Sequence, residues 1–159
     1  MSNPERLPDG VEQIRQLGAR VDALERTHRP YVALIKGSQS VPSGGSGTTV
    51  DWQIERSDKF GMWVSSNPTI IDLPKPGLYL VAVGMSWDNN STGYRNCAVN
   101  GSATGFVQRQ NAISGATTDM TAAGQLLEAT GATMSVVLYQ NSGVTMTPAV
   151  ELFVAWFGY

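Results

Sequence analysis

The 159-residue chain has one cysteine, one histidine and few charges: Asp, Glu, Lys and Arg together make up 15% of it. Cys97 alone cannot close an internal disulfide, so stability must come from packing and assembly. His28 falls at the end of an expected helix, where a cation suits the helix C-terminus; neither catalysis nor metal binding is assigned to it. No stretch reaches eighteen apolar residues, which excludes a membrane-spanning helix. The opening MSNPERLPDG lacks the basic, apolar, small-residue order of a secretion signal. A net charge of −2 and a pI near 5.3 withhold the basic footprint that nucleic-acid binding needs. P-loop, HExxH, GxSxG and CxxC patterns are all missing. Asp51, Glu55, Asp58, Asp72 and Asp88 scatter over turns and strand ends, so no carboxylate pair is nominated for glycoside hydrolysis. The expectation is a protein that is not an enzyme and uses no cofactor.

What is abundant points to β-structure. Glycine numbers 17, Ser and Thr are frequent, and turn-rich segments such as SVPSGGSGT, DNNSTG and NSGVT separate short apolar runs. Strands are expected at about 31–36, 48–53, 60–64, 78–87, 94–99, 103–109, 121–128, 133–140 and 148–157. That many short strands with such punctuation indicate a sandwich or barrel. In the WDNNSTG segment, Asp88, Asn89 and Asn90 offer oxygen ligands for Ca²⁺, but the spacing is not an EF-hand loop and reads first as a turn.

The first 29 residues read differently. Asp9 followed three residues later by Glu12 has capping-box spacing and starts a helix. Ile14, Leu17, Val21 and Leu24 then form an a/d seam, with Arg20 at g and Glu25 at e for pairing between parallel helices. Pro30 ends the helix. The chain therefore divides into an anchor peptide with a coiled-coil helix, 1–29, and a β head domain, 30–159.

Several of the strands are apolar on both faces. In PKPGLYLVAVGMSW, Tyr79, Val81, Val83, Met85 and Trp87 share one face, while Leu78, Leu80, Ala82, Gly84 and Ser86 share the other. In VELFVAWFGY, Val150, Leu152, Val154 and Trp156 oppose Phe153, Ala155, Phe157 and Tyr159. In TMSVVLYQ, Met134, Val136 and Leu138 oppose Val137 and Tyr139. A strand with one wet face alternates apolar and polar residues, so these need cover twice. A neighbouring subunit is the expected cover; a long loop or bent sheet of the same chain is the alternative.

The segments from Ile70 to Ser102, from Gly124 to Gly143 and from Val150 to Tyr159 resemble the C1q/TNF-like jelly roll. The carrying residues are Pro76–Tyr79, Cys97–Gly101, Gln140–Gly143 and Leu152–Phe157. The likeness is closest to minor tail and fibre-type virion proteins of tailed bacteriophages infecting actinobacteria, and it spans roughly residues 30–159. The resemblance implies an antiparallel jelly-roll β-sandwich that forms a homotrimer, with Leu78, Leu80, Ala82, Phe153, Phe157 and Tyr159 as interface candidates. It implies a structural or adhesive virion protein, made without a signal peptide, whose N-terminal segment attaches to other virion proteins. Loops carrying Ser43, Ser46, Asn89, Asn90, Gln110 and Asn111 are candidates for contact with a cell-surface glycan or protein. The chain lacks a Gly-X-Y stalk, and its β-branched a positions with Leu at d favour a two-stranded coil over three. The larger head interface is expected to prevail. Rival readings are a capsid decoration protein, a free bacterial C1q-like module and a polysaccharide depolymerase.

Overall fold

Over residues 31–128 and 131–158, which the computed structural model describes, ten strands form two packed sheets. They are β1 Tyr31–Lys36, β2 Thr48–Thr49, β3 Ile54–Lys59, β4 Ile71–Leu73, β5 Gly77–Trp87, β6 Tyr94–Gly101, β7 Gly105–Asn111, β8 Thr118–Glu128, β9 Ala132–Gln140 and β10 Ala149–Gly158. The first sheet has the order β3-β1-β10-β5-β8 and the second β2-β9-β6-β7, with every pairing antiparallel. One edge of β9 is shared: β2 lies opposite Leu138 and Val137, and β4 opposite Met134 to Ala132. This is a jelly roll, as expected. The helix expected before Pro30, with Ile14, Leu17, Arg20, Val21, Leu24 and Glu25, lies outside the described residues, as does Tyr159.

Period-two patterning places the core. Tyr79, Val81, Val83, Met85 and Trp87 of β5 are buried, and Val150, Leu152 and Val154 of β10 face the same way. From the opposite sheet come Cys97 and Val99 of β6 with Met134, Val136 and Leu138 of β9. Burying each such side chain contributes about 1.5–3 kcal/mol. Cys97 lies wholly inside, and burial pushes its thiol up to about 12. At pH 8 only about one thiol in ten thousand would then be ionised. A thiol-reactive dye should therefore leave the native protein unlabelled at pH 8 and label one equivalent in urea. The same shift makes stability fall as pH climbs from about 9 towards 12, because the unfolded thiol ionises first.

Two expectations from sequence are corrected. Residues 60–64 are not a strand, and the strand is instead Ile54–Lys59, a polar edge beside β1 with Arg56 bulged out of the register. Met62 and Trp63 are buried from a loop whose amides both donate to the Asp58 carboxylate, each at 2.8 Å. Phe60 there has φ 86° and Gly61 φ 63°, a left-handed pair that no strand accommodates. The expected strand at 48–53 shrinks to two residues, because Val50 and Trp52 leave the ladder to bury themselves. Their amides still find acceptors, Val50 on Val136 and Trp52 on Pro68.

Close approaches between strands account for two glycines. Gly77 has φ +123°, and a Cβ there would stand 2.6 Å from the Gly158 carbonyl oxygen. At Gly124 on β8 a Cβ would meet the Phe106 ring of β7 at 2.6 Å, so this ring seals the corner between the two sheets by lying over a bare Cα. Gly124→Ala should cost about 1–3 kcal/mol through overpacking. Urea melts should show part of that loss recovered when Phe106→Leu is added, since the two side chains share one space.

Candidate functional site

The outward face of the five-stranded sheet carries the apolar residues that the core does not use. Cross-strand register aligns Ala33, Phe153, Ala82 and Ala123 in one row. Ala155, Leu80 and Gln125 form the next, and Leu78 with Leu127 the last. Towards the other end Ile54 and Ile35 lie opposite one another. Leu80 is 36% exposed, Phe153 43%, Ile54 55%, Leu127 57% and Phe157 58%. They stay substantially exposed in the single chain. Leu78, Leu80, Ala82, Phe153 and Phe157 thus share one surface, and the structure adds Ile35, Ile54, Ala155 and Leu127. Ile54 escaped sequence reading because the IERSDK strand has no alternation to mark a face.

A shallow groove runs along this face between Ala33, Ile35, Ala82 and Phe153, with Arg56 and Glu151 at its rim 3.6 Å apart. Beyond it the face turns polar, where Ser86 donates to Asp119 at 2.5 Å. Exposed apolar groups ringed by polar ones form a surface suited to another protein surface.

The second apolar face of β9 has a different cover. A Cβ on Gly47 would stand 2.6 Å from both Tyr139 and Val137, so the 41–47 loop of the same chain lies against them. That loop is held by Gln140, fully buried, which donates to Val41 and Val144 at 3.0 and 2.7 Å and accepts from Ser142. The expectation of a subunit over this strand is therefore corrected: a loop covers it.

The loops of interest gather at one end of the sandwich. Ser43 accepts from the Gly143 amide, and Asn141 Oδ1 accepts from the Tyr94 amide. Asp88 Oδ2 accepts from both the amide and the hydroxyl of Thr147, and Asn90 Oδ1 accepts from the Thr92 amide. Ser46 and Asn89 are exposed in this cluster. Gln110 and Asn111, expected in a loop, instead end β7 and pair with Arg95 and Tyr94. Among the described residues no group of three or more His, Cys, Asp or Glu is placed to hold a metal ion. Tyr31, the first described residue, lies at the opposite end, in register with Ala155 and Leu80. The eleven residues of β5 separate the two ends by about 35 Å.

Arg95 organises the loop end from within. It is fully buried, donating through one terminal nitrogen to the carbonyls of Thr92 and Tyr94 at 3.1 Å and through the other to Asn90 at 2.9 Å. Its guanidinium carbon is 5.7 Å from the Trp87 ring centroid. Burial pulls its pKa below the usual arginine value, and no carboxylate pairs with it among the described residues. At the other end Tyr79 donates to the Lys75 carbonyl at 2.8 Å and accepts from the Lys75 amide at 3.0 Å. Burial raises its phenol, and the hydrogen bond to Lys75 works in the opposite direction.

Comparison with known proteins places this geometry. No family profile and no curated protein sequence matches the chain. Solved structures do. The globular domain of zebrafish complement 1qA protein superposes with a TM-score of 0.61 at 12% identity, covering 82% of this chain and 98% of that one. PRD1 vertex protein P5 gives 0.56 at 16% identity, over 81% and 97%. The Eiger TNF from S. frugiperda gives 0.54 at 11% identity, over 81% and 94%. The described domain has the C1q/TNF-like jelly-roll fold. Identities this low establish the fold and nothing finer.

Proposed function

We propose that the chain is a non-enzymatic structural protein of a bacteriophage particle, of minor tail or fibre type, and that its head is a homotrimer. The observation that carries the assembly is the apolar outward face of the five-stranded sheet, with Ile54, Leu80, Leu127 and Phe153 exposed in the single chain. Closed rotational symmetry satisfies such a face without leaving an open, polymerising end. In the proposed particle the N-terminal segment attaches to other virion proteins and the loops around Ser43, Ser46, Asn89 and Asn90 project. The separation of Tyr31 from the loop cluster supports that polarity. A second reading is a capsid or vertex position, favoured by the shared fold of PRD1 vertex protein P5.

Light scattering on the full chain tests the assembly. A mass near three times 17.0 kDa is expected, and a monomer at micromolar concentration would overturn the reading. Antibody labelling of purified particles then separates tail from vertex, and absence from particles would reject both.

A further inference from the structure

The end of the sandwich where the described chain starts carries an aromatic shelf that the proposed subunit contact does not use. Tyr31 is in register with Lys59 of β3 on one side and with Ala155 of β10 on the other. Phe60 follows Lys59 and Trp156 follows Ala155, so both rings stand at the point where the chain enters β1. Trp156 packs on the core, and its indole nitrogen donates to the Pro76 carbonyl at 3.0 Å. Lys75 Nζ lies 4.6 Å from the Trp156 ring centroid and 5.7 Å from that of Phe60, so one cation ties the two rings together. Phe60 nevertheless stays 49% exposed.

Phe60 is presented there against its backbone preference. Its φ of 86° makes it the one non-glycine residue in the left-handed region among the described residues, a region that a bulky side chain rarely enters. Glycine or asparagine would make the same turn with less strain. Asp58 fixes the turn by accepting from the Met62 and Trp63 amides. The turn itself therefore does not call for an aromatic ring, whereas a contact made by the ring does. A partner surface is tethered to this end. Thirty residues precede Tyr31, and Ile14, Leu17, Val21 and Leu24 make an apolar stripe among them at spacings of three, four and three. That stripe runs for less than the three to four heptads that mark a coiled coil, and a helix of about seventeen residues is marginal by itself. It needs cover. Leu24 precedes Tyr31 by seven residues, at most about 25 Å of chain, which puts the shelf within its reach.

We infer that residues 21–24 dock on the shelf of Phe60, Lys75 and Trp156 in their own chain, with Leu24 against the Phe60 ring. The docked segment sets the direction in which the anchor peptide leaves the head, and the residues before Asp9 remain for attachment to a neighbouring protein of the particle. The contact lies within a single chain, so it does not rest on the trimer.

Hydrogen–deuterium exchange on the full chain tests it. Amides of residues 21–28 are expected to exchange at least about tenfold more slowly than an unfolded chain. Phe60→Gly and Phe60→Asn both suit a left-handed backbone, and each should bring those amides to within about threefold of the unfolded rate while Cys97 stays unlabelled at pH 8. Leu24→Ser, outside the sandwich, should do the same. Residues 21–28 exchanging at the unfolded rate in the wild type would overturn the docking. So would protection that Leu24→Ser leaves undiminished, or protection that survives both Phe60 variants, which would assign the cover to helices of other copies. The mass measurement is separate: a trimer without this protection keeps the assembly and rejects the docking, and a monomer with protection that depends on Phe60 does the reverse.

Discussion

Phe153→Asp is expected to convert the proposed homotrimer to a folded monomer. Residue 153 sits on β10 in the centre of the apolar face, flanked by Ala33 and Ala82 in register. Its ring is 43% exposed in the single chain, so removing it opens no core cavity. Asp is a poor strand residue, which costs up to about 1 kcal/mol of intrinsic stability. In a closed interface the same carboxylate would be desolvated without a partner, at several kcal/mol per copy, and symmetry repeats that cost in every subunit. Light scattering should report a monomer, while circular dichroism retains the β signal and a urea midpoint close to that of the dissociated wild type. Leu80→Asp, one row away on β5, should act alike. A variant that remains trimeric would show that this face is not the subunit contact. Unfolding of both variants in isolation would mean that the fold needs the assembly.

Arg95→Ala should be the most destabilising substitution at the loop end, costing about 3–5 kcal/mol through lost charge-assisted hydrogen bonds and the cavity left by a fully buried side chain. The carbonyls of Asn90 and Thr92 lose this donor together, while that of Tyr94 keeps the Asn141 amide at 3.4 Å, and a shielded acceptor left bare costs about 1–3 kcal/mol. The Asp88–Gly93 loop then loses its inner anchor and retains the outer one, Asp88 to Thr147. For a chain of this size the melting temperature should fall by roughly 10 °C. Arg95→Met separates charge from hydrogen bonding. It fills similar volume, removes the unpaired cation and still strands the carbonyls. If Met restores wild-type stability, desolvation of the guanidinium had cancelled its hydrogen bonds. If Met is as weak as Ala, the carbonyl contacts decide. Urea melts of the three proteins distinguish these outcomes.

The difference between Arg95 and its neighbours shows where legibility ends. Cys97 and Val99 announce an inward face by composition, whereas Arg95 takes the same inward parity on β6 as a full charge. Its partners are backbone carbonyls, which every residue carries, so no pattern of residue types foretells the contact. The same limit hid Ile54–Lys59. An edge strand beside a bulge has solvent on several sides, and charged residues suit it without alternation. Met62 and Trp63 misled in the opposite direction, because an aromatic run normally marks a strand and here a loop capped by Asp58 buries it. Arg109 on Tyr94 was equally silent: two residues fifteen positions apart meet only because β6 and β7 form a hairpin.

By itself the sequence determined the β class, the two apolar faces of β5, β9 and β10, the turns between most strands, and the absence of familiar catalytic motifs. Those follow from local chemistry, since side chains alternate along any strand and Gly, Asn and Pro mark turns wherever they fall. Tertiary structure alone decided which second faces are covered: Val137 and Tyr139 lie beneath the 41–47 loop, while Leu80 and Phe153 stay partly exposed among the described residues. It also decided that Arg95 goes inside and that Arg109 lies on Tyr94. Cover and juxtaposition depend on long-range pairing, and two strands with the same apolar pattern carry no local mark of which one a loop will cross.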